Sequence, residues 1–118
     1  MPRPRKLRTV CCVPENDAFG PKNVIFSSES TITITIDEYE ALRLIDLEGM
    51  TQEECAIQMT IARTTVQSIY SEARKKIADA VVNRKWIVIT GGDIVVCDGN
   101  NPNCFRRGCQ RHQHQERS

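Results

Sequence analysis

Two kinds of hydrophobic periodicity alternate along the chain. Residues 31–36 repeat Thr-Ile three times, and this period of two in β-branched residues predicts a strand with one buried face. The same period returns in residues 86–89 and 94–96, and the Gly91-Gly92 pair between them predicts a β-hairpin. Strands are therefore expected on both sides of a central helical region.

The first helix is predicted directly after the alternating segment. Asp37, with Glu40 three places later, has the spacing of a capping box, and apolar residues then recur at helical intervals until Gly49. Residues 37–54 carry mostly acidic charges. We expect these carboxylates on exposed helix faces, where they are a candidate surface for a protein partner.

Two further helices follow after a short interval. Thr51 and Glu54 form a second predicted capping box, which opens a helix ending near Met59. A longer helix is predicted from about Arg63 to Val82, with an apolar face at helical spacing. A short helix, a turn of three or four residues and a longer basic helix are typical of a helix-turn-helix. With the hairpin after it, the arrangement is winged-helix-like.

The outward face of the long helix is rich in hydrogen-bond donors. Arg63 and Gln67 are able to make bidentate contacts to bases, whereas Arg74 and Lys75 lie two to three turns later, where phosphates are expected. The exposed start of the short helix is a second candidate phosphate contact. A solvated helix surface has the same pattern, so periodicity alone leaves both interpretations open. The candidate DNA contacts on these helices are Arg63, Thr64, Gln67, Ser68, Ser71, Arg74, Lys75, Thr51 and Gln52.

Length and charge limit the organisation. The 118 residues allow one compact domain with tails, and a net charge of +1 is sorted into basic and acidic segments. We predict an α+β domain over residues 8–96, with a three-helix core containing the helix-turn-helix (residues 51–82) and a small sheet. No apolar run reaches the length of a membrane span, so a cytoplasmic protein that does not contact membranes is expected.

Both chain ends are predicted to lie outside the folded domain. Residues 1–7 form a flexible basic arm in which Arg3 and Arg5 alternate with prolines, and Arg8 continues its charge. Such an arm is suited to an adjacent minor groove, although a solvated tail is an equal alternative. Residues 97–118 form a polar, disordered tail.

The cysteines raise the question of a metal. In a cytoplasmic protein they are expected to be thiols or metal ligands rather than disulfides. Zinc or an iron–sulfur cluster suits such soft ligands, but the paired C-x2-C spacing of strong zinc motifs is absent, and incidental thiols remain the alternative. Residues 8–13 are expected to be able to form a short strand, and Cys11 and Cys12 would contribute if that strand lies beside the hairpin. Cys55 is expected to be a small core residue. The candidate ligands in the tail are Cys97, Cys104, Cys109 and His112.

A family resemblance supports the helix-turn-helix. Residues 50–81, MTQEECAIQMTIARTTVQSIYSEARKKIADAV, are similar to region 4 of bacterial sigma factors. The motifs MPRPRK, DEYEALRLIDLEG, TQEECA, RTTVQSIYSEARKKIA and GGD, over about residues 1–96, resemble a small prokaryotic family of predicted DNA-binding proteins of unknown function. The resemblance implies a sigma-region-4-like helix-turn-helix and no demonstrated biological role.

Two positions depart from that family. Thr60 and Ala62 replace the glycine and serine that the family usually has in the turn. Glycine eases a positive φ, and serine caps the following helix, so the turn is expected to be less rigid unless Thr60 supplies a substitute cap.

The favoured hypothesis is a sequence-specific transcriptional regulator that binds double-stranded DNA, as a homodimer. One alternative is a sigma-like adaptor that contacts RNA polymerase or another protein, and another is a metal- or redox-responsive switch acting through the tail cysteines. An enzyme is not expected, because no nucleophile is paired with a base and both histidines lie in the tail.

Overall fold

In a computed structural model of the protein, residues 7–11, 13–14 and 17–96 are described, and they form three helices and five short strands. The strands are β1 (Arg8–Val10), β2 (Ala18–Phe19), β3 (Thr31–Ile34), β4 (Trp86–Ile89) and β5 (Ile94–Val96). The helices are α1 (Ile36–Leu42), which continues as a π-helical segment (Arg43–Leu47), α2 (Gln52–Met59) and α3 (Arg63–Asn83). This architecture confirms the predicted α+β class with three helices.

The strands form two small sheets instead of the predicted single sheet. One sheet has the order β2-β4-β3, with β3 parallel and β2 antiparallel to β4. The other pairs β1 with β5 in parallel, so that Arg8 lies opposite Ile94 and Val10 opposite Val96. β1 therefore lies beside β5, as the sequence analysis allowed.

The predicted β4–β5 hairpin, and with it the winged-helix-like arrangement, is wrong. The Thr90 N–H donates to the Ile34 carbonyl at 3.0 Å, and the Ile36 N–H donates to the Gly91 carbonyl at 3.0 Å. These bonds hold the chain after β4 against the end of β3 and the start of α1. β5 then continues to β1, because this distant pairing outweighs the local tendency of two glycines to form a tight turn.

The first helix begins earlier than predicted. Its capping box is Thr35 with Glu38, not Asp37 with Glu40: the Thr35 N–H donates to Glu38 Oε1 at 2.9 Å, and the Glu38 N–H donates to Thr35 Oγ1 at 3.4 Å. Thr35 has the extended backbone that an N-cap requires, with ψ at 159°. Both spacings occur in the sequence, and the strand ends at Ile34, so the earlier cap is the one used.

The core consists of two clusters joined by α1 and α3. The larger cluster contains Val66 of α3 together with residues of β1, α1, the π-helical segment and α2. The smaller cluster lies between the three-stranded sheet and the far end of α3, where Ala80 packs beside Ile34 and Ile87. The buried members of the larger cluster are Val10, Ala41, Leu44, Met50, Cys55, Ala56, Met59 and Val66.

A buried ion pair lies beside the larger cluster. Arg43 Nε and Nη2 donate to the two carboxylate oxygens of Glu40 at 2.8 and 3.1 Å, and the side chains are only 6% and 2% exposed. Burial is the largest single effect and disfavours the charged guanidinium, but the hydrogen bond to Glu40 and the neighbouring negative charges together outweigh it, so the pKa of Arg43 is raised. Glu40 Oε2 also accepts the Cys11 N–H at 2.9 Å, which connects α1 to the end of β1.

The expectation of exposed carboxylates on α1 is therefore wrong. Asp37, Glu38 and Glu40 are all buried. Glu38 forms the helix cap and accepts a hydrogen bond from Lys76 Nζ of α3 at 2.8 Å. These acidic residues serve internal contacts, so most of the proposed acidic partner surface is not available on α1.

Arg8 lies in β1, within the predicted domain, and its charge is not available to the basic arm with which the sequence groups it. Its Nε lies 3.8 Å from Asp37 Oδ2, and its Nη1 lies 3.3 Å from Asp93 Oδ2. Its backbone N–H donates to the Asp93 carbonyl at 2.7 Å. Arg8 thus fixes β1 to the start of α1 and to the segment before β5.

None of the described helices is long and apolar enough to cross a membrane.

Replacing Glu40 with alanine should strongly destabilise the protein. The substitution leaves a buried guanidinium without its main partner and the Cys11 N–H without an acceptor, and breaking such a pair costs roughly 3–5 kcal/mol. Urea unfolding followed by circular dichroism measures the change. The matched control is Glu72→Ala at an exposed site on α3, where a change within about 0.5 kcal/mol is expected. Equal losses in the two variants would contradict a structural role for the buried pair.

Alanine at Gly92 should cost more stability than alanine at Gly91. Both glycines have positive φ, +76° at Gly91 and +103° at Gly92, which costs an alanine roughly 1–2 kcal/mol in the left-handed region. A Cβ at Gly92 would also lie 2.6 Å from Asp37 Oδ1, whereas a Cβ at Gly91 would meet nothing within 4 Å. Urea midpoints of the two variants give the comparison, and a larger loss at Gly91 would show that the close approach to Asp37 is unimportant.

Candidate nucleic-acid interface

α2 and α3 are joined by a turn of three residues, Thr60 to Ala62. The predicted cap of α2 is confirmed: the Thr51 N–H donates to Glu54 Oε1 at 3.0 Å, and the Glu54 N–H donates to Thr51 Oγ1 at 3.1 Å. The predicted start of α3 at Arg63 is also confirmed. The chain therefore has the short helix, short turn and long helix that the sequence predicts.

Thr60 closes α2 in a conformation that favours glycine. Its φ is 61° and its ψ is 43°, so a β-branched residue occupies the left-handed region. The Thr60 N–H donates to the Ile57 carbonyl at 3.2 Å, and the Ile61 N–H donates to the Ala56 carbonyl at 3.0 Å. The turn thus forms with threonine, and its side chain contacts β1 through the Thr9 hydroxyl at 3.4 Å.

α3 begins without a side-chain cap. Ala62 is the N-cap residue, with extended backbone angles and no side-chain hydrogen bond. Thr60 is not the substitute cap considered from the sequence, because the helix does not begin early enough for its hydroxyl to serve. The first N–H groups of α3 are accordingly left to solvent or to a ligand.

The inward faces hold the two helices at a fixed angle. Cys55, Ala56 and Met59 of α2 and Val66 of α3 are buried in the larger core cluster, as predicted. Gln58 is buried as well, which the sequence did not indicate, and its Nε2 donates to Cys11 Sγ at 3.6 Å. Hydrophobic periodicity marks apolar residues only, so it gives no indication that a polar residue such as Gln58 is buried.

The predicted contact residues of α3 lie on one exposed helix face, and Thr51 is exposed at the start of α2. The side chains chosen on α3 are all exposed, whereas on α2 the side chain of Gln52 is half-buried. With a helical rise of 1.5 Å per residue, the set on α3 extends over about 18 Å. The exposed members are Arg63, Thr64, Gln67, Ser68, Ser71, Arg74, Lys75 and Thr51.

The cations of α3 differ in their ion pairs. Among the described residues, no carboxylate lies within ion-pair distance of Arg63 or Lys75. Arg74 lies 3.6 Å from Asp46, and Lys76 Nζ lies 2.8 Å from Glu38. Arg63 and Lys75 are therefore exposed cations without a close ion pair, whereas Lys76 serves the contact between α1 and α3.

Tyr70 and Asp46 form a contact beside this surface that sequence reasoning missed. The Tyr70 hydroxyl donates to Asp46 Oδ1 at 2.7 Å, and the Arg74 guanidinium carbon lies 5.5 Å from the Tyr70 ring centroid. The hydrogen bond to Asp46 is the main reason that the pKa of Tyr70 is raised. Twenty-four positions separate the two residues. No local pattern connects them.

The predicted arm and metal candidates lie mostly outside the described residues. This holds for Arg3 and Arg5, for Cys12, and for the tail residues Cys97, Cys104, Cys109 and His112. Within the described residues, no three histidine, cysteine or acidic side chains are grouped as a metal site would require.

The two described cysteines belong to the protein core. Cys11 is buried, and its thiol accepts the hydrogen bond from Gln58, so it is directed into the core. Cys55 is the small core residue that was predicted. Burial is the main cause that raises its pKa to about 12, and its thiol lies 3.6 Å from the Met59 sulfur.

Comparison with known proteins identifies the family. Residues 1–97 match the model described as Protein of unknown function DUF134. The chain belongs to this family. This confirms the predicted membership of a family of unknown function, whose description names no activity. No solved structure matches the chain, so the likeness to sigma region 4 stays a prediction.

Individual relatives carry equally neutral descriptions. A UPF0251 protein of Desulfitobacterium hafniense strain Y51 is 53% identical over 111 residues, covering 94% of this chain and 88% of the relative. A UPF0251 protein of Thermoanaerobacter pseudethanolicus is 44% identical over 114 residues, covering 97% and 94%. A UPF0251 protein of Caldicellulosiruptor bescii is 47% identical over 95 residues, covering 80% and 66%. The match therefore extends over almost the whole length of the first two.

Serine at position 62 should stabilise the protein. Its hydroxyl would accept an N–H of the first turn of α3, and an N-cap serine contributes about 1 kcal/mol over alanine. Thermal and urea unfolding measure the gain. Ala78→Ser, at an exposed position inside α3, is the matched control and should be neutral or slightly destabilising. A gain at Ala78 that equals the gain at Ala62 would argue against an uncapped helix start.

Proposed function

We propose that the protein binds double-stranded DNA through α2 and α3 and acts as a transcriptional regulator. The observation that carries the proposal is the exposed polar face of α3, on which Arg63 and Lys75 have no ion pair among the described residues. It lies on the longer helix of a pair joined by a three-residue turn. A helix-turn-helix that binds the major groove needs this arrangement.

Each part of the surface has a distinct proposed role. Arg63 and Gln67, one turn apart at the start of α3, are the candidates for bidentate contacts to base edges. Thr64, Ser68 and Ser71 lie between and beside them as shorter hydrogen-bond partners. Lys75 and Arg74 follow further along the helix, where a docked helix leaves the groove and meets phosphate.

The start of α2 is a proposed phosphate contact. Thr51 is exposed, and its side-chain oxygen accepts the Glu54 N–H. The backbone N–H groups next to it, including that of Gln52, are not consumed by this capping box. Together with the helix dipole they favour an anion at this position.

The proposal includes the basic arm because the arm leads into β1, which lies beside the turn between α2 and α3. β1 contacts the helix-turn-helix through Thr9 and Thr60. The first six residues of the arm, residues 1–6, would reach at most about 20 Å if fully extended. We propose that this length lets the arm follow the DNA from β1. Arg3 and Arg5 are proposed to contact the adjacent minor groove on the basis of the sequence alone.

We also propose a homodimer, because two copies double the contacts that a single helix-turn-helix makes. Val81 and Val82 are exposed at the opposite end of α3 from Arg63, so apolar surface is available there without obstructing the DNA-binding end. The separate candidate surface for a protein partner is reduced, since the acidic residues of α1 are buried. The adaptor hypothesis rests on the sigma-like module and remains an alternative. The switch hypothesis depends on tail residues outside the described part.

Substitutions on α3 should separate base recognition from phosphate binding. Arg63→Ala should reduce discrimination between an enriched site and random DNA by roughly 1–3 kcal/mol. Lys75→Ala should weaken both DNAs alike and reduce the slope of log K against log salt by about 0.9. A site selected from a random pool, followed by anisotropy titrations at several salt concentrations, provides the measurement.

The matched control is Lys22→Ala, which removes the same charge from an exposed residue in the loop after β2. It should change neither discrimination nor salt dependence by a comparable amount. No binding of the unaltered protein to any DNA at low salt would overturn the proposal. Equal effects of Arg63→Ala, Lys75→Ala and Lys22→Ala would show that the protein is attracted to DNA only through its net charge.

A further inference from the structure

Asp46 places a negative charge beside the proposed DNA-binding surface. It lies in the π-helical segment after α1, where its Oδ1 accepts the Tyr70 hydroxyl at 2.7 Å. Its Oδ2 lies 3.6 Å from Arg74 Nε, and the guanidinium carbon of Arg74 lies 5.5 Å from the Tyr70 ring centroid. One carboxylate thus holds two neighbouring side chains of α3.

This ion pair joins the π-helical segment to α3, and it differs from the Lys76–Glu38 pair that joins α1 to α3. The Arg74 side chain is 64% exposed and the Asp46 side chain 38%, whereas the Lys76–Glu38 pair is 27% and 9% exposed. A phosphate is therefore able to approach Arg74 from solvent while the pair is intact. Exposed pairs are weak, so a DNA phosphate can displace the carboxylate at a small cost.

We propose that Asp46 restrains DNA binding by holding Arg74 in the free protein, so that phosphate must compete with its carboxylate. The inference rests on the proposed function. Its basis is the contrast within one helix face: among the described residues no carboxylate lies within ion-pair distance of Arg63 or Lys75, and one does for Arg74. Asp46 is thus a positioning residue that sets the strength of phosphate contact and does not itself bind DNA.

Asp46→Asn should strengthen DNA binding. The amide oxygen keeps an acceptor for Tyr70, but the charge that offsets Arg74 is removed. The association constant for random DNA at low salt should rise about two- to fivefold, in line with the strength of exposed ion pairs. The slope of log K against log salt should steepen by up to about 0.9, the value for one additional phosphate contact. In an Arg74→Ala background the same substitution should produce almost no gain.

Asp17→Asn is the matched control. It makes the same chemical change at an exposed residue just before β2, which has no ion pair among the described residues. It should leave the affinity for DNA close to that of the unaltered protein. A gain equal to that of Asp46→Asn, or a gain that persists without Arg74, would overturn the inference and leave only an effect of net charge.

Titration of Tyr70 tests the contact without DNA. The hydrogen bond to Asp46 raises the pKa of Tyr70, so Asp46→Ala, which removes the acceptor as well as the charge, should lower that pKa toward its ordinary value, as followed by ultraviolet absorbance with Tyr70→Phe to assign the signal. An unchanged Tyr70 pKa would show that the contact does not form in solution and would overturn the inference. If the unaltered protein binds no DNA, the proposed function fails as well; if it binds and Asp46→Asn matches Asp17→Asn, only the inference fails.

Discussion

The buried pair of Glu40 and Arg43 is the contact on which the rest of the structure depends. A carboxylate that is 2% exposed requires compensation for the water it has lost, and Arg43 and the Cys11 backbone provide it from different directions. Arg43 belongs to the π-helical segment, so the pair also fixes the place where α1 widens. Glu40 contacts the Cys11 N–H and the Arg43 guanidinium at the same time, so the pair fixes the end of β1, α1 and the π-helical segment relative to one another.

β1 and the residue after it carry this constraint to α2 and the turn that joins it to α3. Cys11, whose N–H binds Glu40, also receives the side-chain hydrogen bond of Gln58 from α2. Two residues earlier, Thr9 contacts Thr60 in the turn between α2 and α3. β1 and the residue after it thus contact the last turn of α2 and the turn that follows it, and the orientation of the exposed face of α3 follows from contacts made in the interior.

The sequence was informative where the determining interactions are local. The Thr51–Glu54 capping box, the start of α3 and the inward face of α2 were predicted correctly, because each depends on residues within a few positions. The exposed placement of Arg63 and Gln67 follows from the same periodicity. Their proposed contacts with DNA remain predictions.

Distant interactions account for what the sequence did not reveal. The Gly91-Gly92 pair has the local signature of a tight turn, but pairing of β5 with β1, more than eighty positions away, prevails. Charged residues are seldom buried, so composition could not indicate that Glu40 lies in the interior. The same applies to Asp46, whose partners Tyr70 and Arg74 are brought near only when α1 packs on α3.

The length of α3 has a consequence for cooperativity. Val66 packs in the larger cluster and Ala80 in the smaller one, so a single continuous helix belongs to both. If either cluster unfolds, the other loses the α3 side chains that pack in it, so the two clusters should unfold as one unit. Any ligand that orders the first turns of α3 would therefore slow amide hydrogen exchange in the three-stranded sheet, at the far end of the molecule.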